Sequence, residues 1–419
     1  MLPAARRLAA LAAGAIALAA AAVGQDDLRD LVVTTKGKQL RGRVATPFAA
    51  DELVVQQGGK RIRVARADVA STATVADQLA AWLDRRARLQ SQPAAQRFLV
   101  DEAAQKGMHG LARAQALWLA LTQDDATAHA RLDHKKGKDG WLWRHGKKLL
   151  PRPEWDAAIA ADGLELVGER FVVHGGTRPL DEVLALFDLE RLGAHVMATF
   201  GRELGLREAL QPVRVVVAAS PGAFPKWGFA PVPYFVPAPH GDEARTFHCG
   251  QARPDRLFFV GAQGLLYRTL VGEVDRANDR DRVCPWLEIG LGMTLERCFA
   301  GDAGFAAPGP HRELAATAWR AQRRAFDLEN LLHLPMHACF YLQDDAATAV
   351  HWSCAEAFVA WLLDPQAQPP RRAAFLRFAA QALGARKGDS SSAFDAAMGA
   401  PVESLDAPWR RWLEATARR

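Results

Sequence analysis

The first candidates for chemistry are two pairs of residues that lie close together in the chain. His333 and His337 are four residues apart, the spacing at which two histidines on one helix reach a single metal ion. Pro335 lies between them, and proline disrupts a helix interior, so a helix boundary with packed imidazoles is favoured over a metal site. His248 directly precedes Cys249, but adjacent residues of a strand point to opposite faces, which argues against a nucleophile–base pair.

Other common catalytic motifs are missing from the sequence. No G-x-S-x-G occurs, so nothing predicts the nucleophile elbow of a serine hydrolase. No Walker-type loop and no G-x-G-x-x-G follows a predicted strand, which argues against nucleotide binding. The five cysteines form no C-x-x-C and no zinc-type Cys–His spacing. Buried free thiols are predicted, although export would permit a disulfide such as Cys284 with Cys298.

The N-terminus has the pattern of a secretory signal peptide. Arg6 and Arg7 precede an uncharged, alanine-rich run at 8–23, and a polar segment comes next. This run is shorter than the ~20 strongly apolar residues of a membrane-spanning helix. Residues 1–24 are therefore predicted to be removed, with no membrane span in the mature protein. The mature protein is expected in the periplasm, on the cell surface or in the medium.

Composition and charge indicate a large globular protein. Hydrophobic residues make up 49% of the 419 residues, enough to form the cores of several compact units. The formal net charge is +6, which is modest for this length, and basic residues look scattered among acidic ones. An ordinary solvated surface is favoured over a nucleic-acid-binding surface.

Residues 25–73 are predicted to form a small antiparallel β-barrel. Apolar and basic residues alternate around glycine turns between residues 28 and 71, which predicts a meander of short strands. The length suits a barrel of the SH3 or Sm type. Because no aromatic cluster is present to stack bases, a scaffold or docking role is favoured and no nucleic-acid partner is expected. The strands are predicted at Leu31–Val33, Leu40–Val44, Leu53–Val55 and Arg61–Val64.

The period of the hydrophobic pattern changes to that of helices at about Thr74, so residues 74–162 are predicted to be helical. Leu111–Leu132 resembles one tetratricopeptide-like helix pair with its junction at Asp124 and Asp125. A single unit is too short for a solenoid, so it is expected to pack on the next segment of the chain. A hairpin between large aromatic residues, around Lys138–Arg144, is predicted to connect the helical segment to the next domain.

The C-terminal domain, residues 163–419, is predicted to be α+β, with a small sheet followed by packed helices. Strands are predicted at Glu165–His174 and Val213–Ala218, with a long amphipathic helix at Leu180–Leu206 between them. Phe258–Val260 is predicted as a further strand. Almost all of the chain after Ala262 has helical periodicity.

Two segments of this domain carry linked motifs. Residues 266–276 read L-Y-R-T-L-V-G-E-V-D-R, and residues 285–296 read P-W-L-E-I-G-L-G-M-T-L-E. Together they resemble the gluzincin metallopeptidases of the peptidase-MA-like group. That family has an apolar helix ending in H-E-x-x-H and a second helix close to P-x-W-L-x-E-G-L-A. Its two histidines and the second-helix glutamate bind zinc, and the first glutamate acts as general base. The resemblance covers roughly residues 165–419.

The resemblance implies that every zinc ligand has been replaced. Gly272 stands at the first histidine position and Arg276 at the second, while Ile289 stands at the position of the ligating glutamate. Glu273 matches the general base, and Trp286 matches the tryptophan of the second helix. In the family these positions line one cleft.

The replacements are chemically unsuited to a metal. Glycine has no side chain, isoleucine has no lone pair to donate, and the fixed positive charge of Arg276 repels a cation. Arg276 is predicted to pair with Glu273 on its own helix or with Glu288 or Glu296 of the next helix. These carboxylates and Trp286 are the predicted cleft residues. Neither a metal nor another cofactor is expected, and Glu273 would be inactive.

The sequence therefore predicts an exported, non-catalytic pseudo-metallopeptidase that binds peptide or protein in a metal-free cleft. An edge strand within Pro231–Val236 or Thr246–Cys249 would pair with the extended ligand. One alternative is an active hydrolase or metallopeptidase with a non-standard site. Another is a structural envelope protein that assembles through residues 25–160.

Overall fold

The protein is described by a computed structural model that covers fifteen stretches of the chain. The predicted signal peptide at 1–24 lies outside them. Within these stretches the fold is mixed α/β, with many helices and three small sheets. The described residues are 29–44, 51–57, 59–89, 91–206, 212–218, 234–236, 243–247, 256–271, 284–299, 306, 312–322, 327–333, 345–364, 369–384 and 390–418.

The N-terminal sheet is antiparallel, and its strand order is β4-β3-β2-β1-β5. The four predicted strands are confirmed, and a fifth strand comes after a short 3-10 turn. The fifth strand reads V-A-S-T-A, which has too few large apolar residues to give a strand signal. Among the described residues the sheet is open rather than a closed barrel. The strands are β1 (Asp30–Thr34), β2 (Gln39–Val44), β3 (Glu52–Gln57), β4 (Lys60–Ala65) and β5 (Val69–Ala73).

Four helices come next, as the sequence predicts. The first begins at Thr74, whose side chain accepts a hydrogen bond from the Asp77 N–H while the Asp77 carboxylate accepts one from the Thr74 N–H. At the predicted helix-pair junction, Asp124 adopts a left-handed conformation and Asp125 caps the next helix through the Ala128 N–H. The helices are α1 (Val75–Arg88), α2 (Pro93–Gln105), α3 (His109–Gln123) and α4 (Ala126–Arg131).

The predicted hairpin is confirmed and has three antiparallel strands. It is fastened to α4 by His129, which stacks on Trp141 at 4.2 Å between ring centroids. The Nδ1 atoms of His129 and His134 share a hydrogen bond of 2.8 Å. The aromatic residues therefore pack against one another, and α5 closes the unit. The elements are β6 (Lys135–Gly137), β7 (Gly140–His145), β8 (Lys148–Pro151) and α5 (Arg152–Asp162).

A mixed five-stranded sheet opens the C-terminal part, in the order β12-β13-β11-β10-β9. The prediction of one strand at Glu165–His174 is wrong, because the chain turns at Gly168 and forms two antiparallel strands. The buried carboxylate of Glu190 accepts the N–H groups of Arg170 and Phe171 and fixes this turn. The elements are β9 (Leu164–Val167), β10 (Phe171–Gly175), α6 (Pro179–Leu204), β11 (Val213–Ala218), β12 (Tyr234–Val236) and β13 (Glu243–Phe247).

Eight helices complete the described chain. The prediction of a strand at Phe258–Val260 is wrong, since these residues form the first turn of α7. That helix packs between the sheet and α8, so its apolar run is buried and resembles a buried strand in sequence. None of the described helices is long and apolar enough to cross a membrane. The helices are α7 (Leu257–Val271), α8 (Pro285–Arg297), α9 (Arg312–Gln322), α10 (Leu328–His333), α11 (Asp345–Leu363), α12 (Pro369–Gly384), α13 (Ser390–Met398) and α14 (Glu403–Arg418).

The central helices and the C-terminal elements share one hydrophobic core, whereas the N-terminal sheet has a small core of its own. Trp82 of α1 contacts Phe187 of α6, with ring centroids 6.1 Å apart. The buried guanidinium of Arg86 donates to Gln115 Oε1 at 2.9 Å and lies 3.6 Å from the Phe187 ring centroid. Burial lowers the pKa of Arg86 to about 9. The boundary near residue 162 therefore joins tightly packed segments.

A close helix contact in the C-terminal part predicts a stability effect. A Cβ added at Gly290 of α8 would overlap Val359 and lie 2.6 Å from the Ala355 carbonyl oxygen of α11. Gly290→Ala is therefore expected to lower the free energy of unfolding by about 1–3 kcal/mol, measured by urea denaturation.

The matched control is Gly201→Ala in α6, where an added Cβ would meet no atom within 4 Å. This change is expected to leave stability unchanged or raise it by up to about 1 kcal/mol, because alanine is the better helix former. Equal effects of the two substitutions would contradict the close packing of α8 on α11.

Candidate functional site

The candidate site is built on α7 and α8, which pack antiparallel. Glu296, near the end of α8, ties the two helices together. One carboxylate oxygen accepts a hydrogen bond from Arg256 Nη1 at 2.9 Å, and the other accepts the Phe259 N–H at 3.2 Å. A Cβ added at Gly292 would lie 2.8 Å from the Phe259 ring. The end of α8 therefore lies beside the start of α7, and this fixes which residues face each other.

This register places Ile289 beside the middle of α7. Counting back along α8 from Gly292 and Glu296 brings Ile289 level with residues 262–266 of α7. Ile289 is 0% exposed, and Gln263 is 6% exposed with no hydrogen-bond partner for its Oε1 among the described residues. Val271, the last described residue of α7, lies roughly 8–13 Å further along the axis at ~1.5 Å per residue.

Three of the predicted site residues lie outside the described part of the chain. These are Gly272, Glu273 and Arg276, which directly follow α7 in sequence. Their predicted convergence with Ile289 and the predicted ion pairs of Arg276 stay predictions. The same holds for the pair His248 and Cys249 and for Pro335 and His337, whereas His333 is the last described residue of α10 and is exposed.

Trp286, a predicted cleft residue, is fully buried in the core of the helical layer. Its ring stacks on Phe378 at 5.9 Å and meets Phe394 edge-on at 5.7 Å. Trp286 therefore holds α8 against α12 and α13 and presents no exposed surface to a ligand. Glu288, in the first turn of α8, is half-buried.

The two predicted ligand-pairing segments occupy different places in the sheet. Tyr234–Val236 forms β12, the outermost strand, which pairs with β13 only among the described strands. Thr246 and Phe247 belong to β13, which lies between β11 and β12. Helix α7 packs against β11, β12 and β13. The outer edge thus belongs to β12, next to the helix that carries Gln263.

A charged cluster near the end of α8 has no counterpart among the sequence predictions. Glu356 of α11 is buried, accepts a hydrogen bond from Arg297 Nε at 3.2 Å, and has no described partner for its second oxygen. Burial raises the pKa of Glu356 to about 7, although the neighbouring Arg297 opposes the shift. Glu356 is the one carboxylate in the apolar run A-V-H-W-S-C-A-E-A-F-V, and an isolated carboxylate in such a run indicates a buried ionisable group.

The described cysteines are buried, as predicted, and Cys298 and Cys354 are free thiols. Burial raises the pKa of Cys298 and of Cys354 to about 12, so neither is a thiolate nucleophile at neutral pH. Cys284 and Cys298 flank the two ends of α8 and lie roughly 20 Å apart at ~1.5 Å per residue, too far for a disulfide.

No group of three or more His, Cys, Asp or Glu side chains within the described stretches is placed to hold a metal ion. Along α7 and α8 the described residues include a buried isoleucine, Ile289, and a buried amide, Gln263. Glu356 lies near the end of α8, beside Arg297, and its carboxyl can hold a proton. Neither a protein-family model nor a curated protein matches the chain.

The raised pKa of Glu356 predicts a pH dependence of stability. Between the ordinary carboxyl pKa of 4.5 and about 7, the folded state binds more protons at this site than the unfolded state. Its contribution to the free energy of unfolding therefore falls as the pH rises through this window. Glu356→Gln removes the titration, so the variant should gain roughly 2–3 kcal/mol relative to the parent protein between about pH 5 and about pH 8.

The measurement is urea unfolding of both proteins at the two pH values. Other buried carboxyls, such as Glu182 and Glu190, are common to both proteins and cancel in the difference. Glu329→Gln, at an exposed position of α10, is the control and should show no such gain. A Glu356→Gln difference that is the same at both pH values would contradict the buried, proton-holding carboxyl.

Proposed function

We propose that this protein is an exported, non-catalytic, peptidase-like protein that binds an extended peptide or protein segment in a metal-free cleft. The observation that carries the proposal is the position of β12, the outermost strand of the mixed sheet, beside α7. The outer edge of such a strand carries backbone N–H and C=O groups that can pair with an added strand. Side chains on the neighbouring helices would then select the ligand.

The order of elements supports a gluzincin-like arrangement for residues 163–419. A mixed sheet with an antiparallel edge strand is followed by two helices that pack antiparallel, as the motif resemblance requires. An SH3- or Sm-type arrangement at 25–73 is supported by β5, which returns to pair with β1. The capped junction between α3 and α4 supports the tetratricopeptide-like pair.

The α7–α8 register gives a second way to align this sequence with the H-E-x-x-H motif. Gln263 and Tyr267 have the i, i+4 spacing of the two histidines in H-E-x-x-H, and Gln263 is level with Ile289. In this alignment Gly264 replaces the general base. A neutral amide, a phenol and a hydrocarbon make a poor zinc site. With either alignment, the ligand positions lack the donor set of a zinc peptidase, which supports a non-catalytic role.

Two proline variants of the full chain test binding at β12. Successive N–H groups of a strand point to opposite edges, so one of Tyr234 and Phe235 directs its N–H outward. The proline variant at the position whose N–H points outward should retain the unfolding midpoint of the parent protein. Proline is tolerated there because the N–H that it removes faces away from the sheet. That variant should lose binding of a fluorescent library of short unstructured peptides, measured by anisotropy.

If both Tyr234→Pro and Phe235→Pro fold stably and bind the peptides as well as the parent protein does, the proposal is contradicted. The same samples separate the alternatives. Stoichiometric zinc together with peptide cleavage would favour an active hydrolase. Stable self-assembly through residues 25–160, without peptide binding, would favour a structural envelope protein.

A further inference from the structure

The N-terminal sheet is a basic segment of the chain. Residues 29–73 contain nine Lys and Arg residues against four Asp and Glu residues, a net charge of +5, whereas the whole chain carries +6. Residues 135–152 form a second basic segment, with seven Lys and Arg residues against one Asp residue, so the sheet is one of the basic segments of the chain.

Strand β4 displays this charge in a regular row. Ile62 and Val64 point toward the small core, with Val64 buried, while Arg61 and Arg63 alternate with them and are exposed. The two exposed arginines lie two residues apart, about 7 Å along a strand that rises ~3.4 Å per residue. Arg63 contacts Glu52 at 3.3 Å, but its side chain is 75% exposed, so this ion pair contributes little.

The same strand ends the sheet. β4 is the outermost strand and pairs only with β3 among the described strands. A segment that added to this edge would place its own side chains 4.5–5.5 Å, as an approximate cross-strand spacing, from those of β4. Acidic residues at alternate positions of the segment would then face Arg61 and Arg63. Charge and backbone geometry thus select the same kind of ligand.

Nucleic acid fits this surface less well than polypeptide. None of the described residues between 29 and 73 is aromatic, so the sheet has no platform on which bases could stack. A phosphodiester backbone also has no N–H groups to complete a β-ladder. We propose that β4 is a docking edge for an extended, acidic polypeptide segment of a partner protein.

The test uses the full chain and a fluorescent peptide in which Glu and Thr alternate. Binding is measured by anisotropy at low and at moderate salt, and it should weaken with salt because the surface is exposed. Arg61→Glu with Arg63→Glu should weaken binding by roughly tenfold or more. Arg377→Glu with Arg411→Glu, which reverses two exposed charges on the C-terminal helices, should leave binding unchanged.

Two further probes separate the docking edge from simple charge attraction. The same peptide with N-methyl groups on alternate residues retains its charge but cannot pair as a strand, and it should not bind. Equal binding of the methylated peptide, or tighter binding of a single-stranded DNA oligonucleotide, would overturn the proposal. The β12 proline variants should still bind the acidic peptide, so failure at one edge is distinguishable from failure at the other.

Discussion

Two hydrogen bonds that Glu296 accepts from the start of α7 fix the position of α8 along α7, on which the candidate site depends. A half-buried carboxylate that accepts one hydrogen bond from Arg256 and another from the Phe259 N–H prevents α8 from sliding along α7. The small residue at Gly292 then lets the helices approach closely. Because the helices are antiparallel, counting along both helices from this junction brings Ile289 level with residues 262–266 of α7. That register determines which side chains of α7 and α8 can meet.

Local sequence signals predicted most elements because those elements depend on local physics. Thr74 with Asp77 makes a capping box, Asp125 caps α4, and the strand at Val213–Ala218 is a continuous apolar run. Two strand predictions failed where tertiary contacts decide the outcome. The run at Phe258–Val260 is apolar because the helix that contains it is covered by other elements on several sides. The chain turns at Gly168 because the carboxylate of Glu190, distant in sequence, accepts hydrogen bonds from the N–H groups of Arg170 and Phe171.

The site was less predictable than the fold. The second motif predicted a helix that the structure has as α8, but spacing along the chain does not reveal which residues of two helices are level with each other. Trp286 matched a motif and is nevertheless a core residue, since an indole satisfies a packing position as readily as a cleft wall. The isolated position of Glu356 in an apolar run is a local signal of burial, but its raised pKa depends on how α11 packs in the folded protein, which the run alone does not give. The proposed binding at two sheet edges, β12 and β4, requires none of these groups to act on a substrate.

Restoration of a zinc site is the most direct measurement of whether the cleft is a metal-free remnant. The triple variant Gln263→His, Tyr267→His and Ile289→Glu supplies three ligands at the level fixed by Glu296, with two histidines one helical turn apart. It should bind about one zinc ion per chain by elemental analysis, and the parent protein should bind none. A folded triple variant that holds no zinc, or a parent protein that holds stoichiometric zinc and cleaves peptides, would contradict the remnant cleft.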